Sequence, residues 1–202
     1  MKTQKRLYKK KGKHKTRKYK TRKRIVDRTL LGSGIIGTGT SGCVIDSISC
    51  GELSRENGYV AKLLNKNVTI NILLHRKLAE IDPDNKRFNR YYPCEIVDIK
   101  NNVDIKACLQ KGLQLSDNNI VFQRYLVPLV RMSKSQYRYL RESLNILYKN
   151  KILHNDLPDN VMIDPDDNMP RIIDWDHATF MDNNSYDMMD YNAFLHHYKV
   201  SK

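Results

Sequence analysis

The sequence predicts an α+β fold, in one domain of ordinary size or a compact two-lobed one, behind a disordered basic tail. Three observations carry that expectation. Charge is segregated: residues 1–24 hold 14 of the 36 Lys and Arg and no Asp or Glu, leaving 22 basic against 22 acidic residues in the other 178. A glycine-rich stretch and an apolar strand-like stretch follow the tail, and two later segments, Asn67–Ile81 and Ser133–Asn150, carry apolar residues at helical spacing. With 40% hydrophobic residues the chain can bury one core of ordinary size, but not two large independent ones.

The tail reads MKTQKRLYKKKGKHKTRKYKTRKR. It repels itself and has only Leu7, Tyr8 and Tyr19 to bury, so it cannot offset the entropy of ordering. Its functional reading is an arm for nucleic acid or another polyanion, because each Lys or Arg docked on a phosphate releases counterions. The same composition suits a nuclear localisation signal. A solvated tail that only aids solubility is the plainer alternative. No stretch is long and apolar enough to span a bilayer, and the N-terminus lacks a signal peptide's apolar core, so an intracellular protein of cytoplasm or nucleus is expected, with no membrane partner. Cys43, Cys50, Cys94 and Cys108 form no C-x-x-C pair and have no His at zinc spacing, so reduced thiols are expected.

Two overlapping G-x-G-x-x-G matches follow, at Gly32, Gly34, Gly37 and at Gly37, Gly39, Gly42. A dinucleotide site would need a helix next, but Cys43–Ile48 reads as strand. The second match extends to G-x-G-x-x-G-x-V through Val44, the hairpin form that covers ATP phosphates, where glycines permit close backbone approach and positive φ. After a polar turn comes Tyr59-Val60-Ala61-Lys62-Leu63-Leu64, an apolar strand with one cation in its middle. Alone, Lys62 reads as a lysine snorkelling from a sheet edge.

In the segment Asn67–Ile81, residues Ile70, Leu73, Leu74, Leu78 and Ile81 share one helix face, and Pro83 closes it. Residues Asn118–Leu126 read as a strand. Ser133 caps the next helix, whose Leu140, Leu144 and Leu147 face a core. In both helices the stripes are core rather than binding surface. A last helix is expected over Tyr186–Tyr198, with Tyr191, Phe194, Leu195 and Tyr198 on its apolar face.

Between these helices stand His154-Asn155-Asp156-Leu157-Pro158-Asp159-Asn160 and then Ile172-Ile173-Asp174-Trp175-Asp176. Together with the glycine loop and Lys62, which resembles the lysine of a V-A-x-K strand, they resemble the protein-kinase-like superfamily over roughly Thr29–Thr179. Asp-Trp-Asp is similar to the form in aminoglycoside and choline phosphotransferases, and with the basic arm it resembles short kinase-like proteins of large DNA viruses. That resemblance implies a two-lobed kinase-like fold with a truncated helical C-terminal lobe. The tail is 1–24, the N-terminal lobe 25–126, and the short C-terminal lobe 127–202.

It also implies ATP and Mg²⁺ as cofactors. Gly37, Gly39, Gly42, Val44, Ala61 and Lys62 would bind ATP, backbone groups of Gln123–Tyr125 would meet adenine, and Asn160 and Asp174 would hold metal. Asp156, with Lys62 on the phosphates, would be catalytic as the group orienting a hydroxyl. A protein Ser/Thr is the expected acceptor, Thr16 or Thr21 of the tail included. A small-molecule phosphotransferase and a catalytically weak binding module anchored by the tail are the alternatives.

Three departures from the family pattern are visible. Asp156 and Asn160 are four positions apart rather than five, and the loop lysine is absent. The helix after Lys62 lacks a mid-helix carboxylate to pair with it; Glu80 lies at its end and Asn71 is the other substitute. Only 26 residues follow Asp176, without an A-P-E segment or the helices that bind a peptide. Neither the physiological substrate nor the oligomeric state is legible.

Overall fold

The computed structural model describes residues 34–94, 102–115, 120–181 and 198. The expected tail, and the expected closing helix apart from Tyr198, lie outside those residues.

The described residues form a mixed α/β structure. The glycine-rich stretch becomes a hairpin of β1 (Ile35–Thr38) and β2 (Gly42–Ile45), followed by β3 (Tyr59–Leu64), β4 (Tyr92–Pro93) and β5 (Ile120–Arg124). They make one antiparallel sheet in the order β1-β2-β3-β5-β4. The first residues of the expected strand Asn118–Leu126 fall outside the described range, and β5 covers the rest of it except Tyr125 and Leu126.

Because side chains alternate across a strand, the register sorts the middle of the sheet onto two faces. Lys62 stands opposite Val44 on one side and Val121 on the other. Ala61 and Leu63 point the opposite way, into a core with Cys43, Ile45 and Phe122. Helix α1 (Ile72–Ile81) follows β3, and helix α2 (Val103–Gln110) buries Ile105 and Cys108 against that same core.

Two sequence expectations change here. The helix expected from Asn67 begins at Ile72, because the Asn71 side chain accepts a hydrogen bond from the Leu74 N–H at 3.1 Å and caps it. Ile70 therefore lies before the helix and packs with Leu64, Tyr91 and Val121. The cysteines expected as reduced thiols are joined in two disulfides, Cys43 to Cys108 and Cys50 to Cys94, with Cα atoms 6.2 and 6.3 Å apart. Their separations of 65 and 44 residues put both pairs beyond local spacing rules, and packing of α2 on the sheet is what brings Cys108 to Cys43.

The second core surrounds α3 (Lys134–Lys149). Ser133 caps it in a reciprocal box with Gln136, and Leu140, Leu144 and Leu147 are buried as the periodicity requires. Before α3 runs β6 (Val127–Pro128); after it come β7 (Ile152–Leu153), β8 (Val161–Ile163), β9 (Pro170–Ile172) and β10 (Thr179–Phe180). β6, β8 and β9 form one small sheet, and β7 pairs with β10. Leu74 and Leu78 of α1 enter this core beside Phe88, Ile172 and Trp175, so α1 joins the neighbourhood of Lys62 to that of α3. Among the described residues no helix is long and apolar enough to cross a membrane.

Candidate active site

The hairpin, the middle strand and the segment after β9 converge on Lys62. An apolar strand flanking a single lysine buries it, and Lys62 is 5% exposed. A buried ammonium must find acceptors for its three protons or lose its charge. Three lie in reach: Asp174 Oδ1 at 2.7 Å, Asp176 Oδ2 at 3.1 Å and the Tyr91 hydroxyl oxygen at 2.6 Å. The Tyr91 hydroxyl, in turn, lies 3.2 Å from Asp176 Oδ1, to which it donates.

Asp174 sits in the left-handed region, φ 63° and ψ 72°, at the start of the 3-10 turn Trp175–His177. Residues other than glycine seldom adopt that conformation. Here the fully buried indole that follows fixes it: Trp175 packs edge-on against Phe88, and its Nε1 donates to the Asn89 carbonyl at 2.9 Å. With Trp175 anchored inward, Asp174 and Asp176 both turn towards Lys62.

The two carboxylates respond differently. Burial alone would raise Asp174, but the Lys62 charge and hydrogen bonds from Asp176 and Lys62 outweigh it and hold Asp174 below its ordinary value. Burial and the hydrogen-bonded Asp174 raise Asp176. Burial, with the charges of Asp176 and Asp174, pushes the Tyr91 hydroxyl well above its ordinary range, so it remains a donor.

The second pair of polar residues lies on the turn after β7. The Asn160 side-chain N–H donates to both the carbonyl oxygen and Oδ2 of Asp156, each at 2.7 Å. Four-residue spacing therefore closes on itself as a local turn, in which Asp156 is exposed and Asn160 half-buried. Two bonds tie this turn to the residue before Asp174: the Ile173 N–H donates to the Asn160 carbonyl at 3.0 Å, and His154 Nε2–H donates to the Ile173 carbonyl at 2.7 Å. His154 is buried against Trp175, and that burial lowers its pKa, so it holds the turn as a neutral ring.

Thr40 and Ser41 at the hairpin tip, Asn67, Val68 and Thr69 before α1, and Asp176 and His177 line a cavity of about 480 Å³. The Ser41 hydroxyl reaches 3.5 Å from Asp174 Oδ2, so the glycine turn lies over the carboxylate pair.

Several expected site residues sit elsewhere or act differently. Ala61 is fully buried on the face opposite Lys62, because adjacent strand residues alternate; Val60, two residues before Lys62, shares its face. Val44 stands directly across from Lys62. Gly37, Gly39 and Gly42 need no positive φ: the glycines with positive φ among the described residues are Gly51, Gly58 and Gly112. Gly42 is required for a different reason, since a Cβ there would run into the Leu63 carbonyl of β3. The backbone N–H groups of Arg124 and Tyr125, expected to meet adenine, already donate to Asn89 Oδ1 at 3.0 Å and the Gly58 carbonyl at 2.8 Å.

Neither substitute for the helix carboxylate reaches Lys62. Glu80 is exposed and pairs with Lys77 at 3.1 Å, and the Asn71 side chain is spent on the helix cap. Sequence reasoning missed Tyr91 as a Lys62 partner and assigned no role to Asp176. The second acid of Asp-Trp-Asp was a usable signal for Asp176, whereas nothing local marks Tyr91, 29 residues from Lys62.

No family model matches the chain, and no curated protein matches it. Among solved structures it is similar to the structure of the Cydia pomonella granulovirus kinase PK-1, with 15% sequence identity and a TM-score of 0.39. The alignment covers 63% of this chain and 46% of that one, so this chain spans under half the length of that kinase.

Proposed function

We propose that the chain is an ATP- and Mg²⁺-dependent phosphotransferase of two-lobed kinase-like architecture, divided near Leu126, that transfers the γ-phosphoryl group to a hydroxyl, most simply a protein Ser or Thr. The observation that carries this reading is the meeting of Lys62 with Asp174 at 2.7 Å across 112 residues of chain, beneath a glycine turn. A scaffold has no need to bury a lysine beside two carboxylates at the edge of a cavity.

The donor set suits magnesium, which takes oxygen ligands: Asp174 offers a carboxylate whose Oδ2 lies 3.5 Å from the Ser41 hydroxyl, and Asn160 offers its amide oxygen. Bound there, Mg²⁺ supplies neutralisation of charge on the phosphate oxygens. Lys62 grips the same phosphates as a fixed cation. The Thr40–Ser41 turn closes over them and excludes water.

Asp156 orients the acceptor hydroxyl and takes its proton. Its Oδ2 is held by Asn160, so the carboxylate is pre-aimed rather than free to rotate. The acceptor oxygen forms the new P–O bond as the β–γ bridging P–O bond breaks and ADP leaves. The test is transfer of labelled γ-phosphate to the protein itself and to a basic protein substrate. Wild type should transfer label, and Asp156→Asn and Asp174→Ala should each lose it. Transfer that survives both substitutions, or none in a wild type that binds nucleotide, would refute the reading.

A second reading rests on the charge segregation: 14 basic residues in residues 1–24 make a polyanion arm that anchors the domain to nucleic acid. Deleting those residues should abolish salt-sensitive nucleic-acid binding and leave nucleotide binding intact. Equal loss of both would show that the arm belongs to the folded domain.

A further inference from the structure

Helix α1 brings no carboxylate to Lys62, and yet Lys62 has three acceptors within 3.1 Å. What α1 brings instead is His75. Its ring stacks on Tyr91, with centroids 4.8 Å apart and planes inclined by 26°, and its Nδ1 accepts from the Tyr91 N–H at 3.4 Å. Burial, with the charges of Arg90 and Lys62, lowers the His75 pKa to about 4, so the ring stacked on Tyr91 stays neutral. Tyr91 is 7% exposed, and its hydroxyl is 2.6 Å from Lys62 Nζ and 3.2 Å from Asp176 Oδ1.

A phenol can do both jobs at once, accepting from the ammonium through its oxygen and donating its own proton to a carboxylate. We propose that Tyr91, backed by His75 of α1 and by Asp176, is the positioning residue for Lys62, taking the role that the resemblance would give to a helix carboxylate. This rests on the phosphotransferase reading and adds to it. The ammonium has three protons. Tyr91 and Asp176 hold two of them on buried partners, and the third, now on the more exposed Asp174, can pass to a phosphate oxygen without releasing the lysine. Asp176 then supplies the buried acceptor oxygens that the helix lacks, Oδ2 to Lys62 and Oδ1 to Tyr91, and the His75–Tyr91 stack transmits the position of α1 to Lys62.

The test reads Lys62 directly. The ligand-free full chain is treated with acetic anhydride, and the acetylation rate of each lysine is followed by peptide mass spectrometry in wild type and in Tyr91→Phe, which keeps the ring on His75 and removes only the hydroxyl. The Lys62 rate should rise about fivefold or more in the variant, with exposed Lys86 unchanged, as expected for the loss of one charge-assisted hydrogen bond. In the phosphate-transfer assay the same variant should lose about tenfold in kcat/KM for Mg·ATP.

An unchanged Lys62 rate in a folded Tyr91→Phe overturns the proposal. So does a wild-type Lys62 that acetylates as fast as Lys86, a measurement that needs no variant to fold. The two readings fail separately. Faster Lys62 labelling in the variant of a chain that never transfers phosphate would keep the anchor and remove the kinase. A working wild type with unchanged labelling and unchanged kcat/KM in Tyr91→Phe would keep the kinase and remove the anchor.

Discussion

Trp175 and Asn89 are joined by a hydrogen bond from the indole Nε1 to the backbone carbonyl, 2.9 Å long and wholly buried, that ties the segment carrying both site carboxylates to the strand sheet. Asn89 completes the link with its side chain, accepting from the Arg124 N–H at 3.0 Å and donating to the Arg124 carbonyl at 3.2 Å. Its own N–H donates to the Ile172 carbonyl at 2.8 Å. One 1%-exposed asparagine thus connects β5, β9 and the turn that aims Asp174.

Replacing Asn89 by Ala should therefore cost stability out of proportion to its size. Two side-chain bonds are lost and two part-buried backbone groups of Arg124 lose their partner, about 2 kcal/mol in all. Urea unfolding should show a lower midpoint at unchanged slope. A midpoint within error of wild type would mean that the connection is idle.

Asn160→Ala tests the metal assignment apart from the fold. Asn160 is half-buried on a surface turn, so its loss should leave stability nearly unchanged while the Mg²⁺ concentration for half-maximal transfer rises about tenfold. Unchanged Mg²⁺ dependence would remove Asn160 from the site and leave its side chain with the single task of holding Asp156.

Stability should fall in mild acid because of His75. Its pKa is lowered to about 4 from 6.5, so between those values the unfolded chain takes up a proton that the folded chain refuses. The contribution is complete above pH 6.5, fades as pH falls and is gone by about pH 4, to a total of about 3 kcal/mol. His154, lowered by burial, acts in the same direction. Urea midpoints measured across this range should fall less for His75→Gln than for wild type; parallel curves would show that His75 titrates normally.

The Cys43–Cys108 disulfide closes a loop of 65 residues, which in the chain-entropy treatment corresponds to about 4 kcal/mol. The Cys43→Ser, Cys108→Ser double variant should lose stability of that order. Intact-mass analysis under non-reducing conditions should find four fewer hydrogens in the wild type than in its reduced form. Four free thiols in the purified, unreduced protein would contradict the pairing.

Local chemistry made part of this protein readable in one dimension. The Ser133 cap with Leu140, Leu144 and Leu147, the strand around Lys62 and the glycine hairpin are set by contacts within a few residues, and their types name their structures. The Asp156–Asn160 pair is local too, closing over four positions. The tertiary structure alone decided which partners Lys62 has, which face Ala61 takes, and which cysteines join. Each of those depends on strand register or on contacts across 29 to 114 residues, where chain separation carries no spacing signal and only the packing of α1 and α2 on the sheet selects the partner.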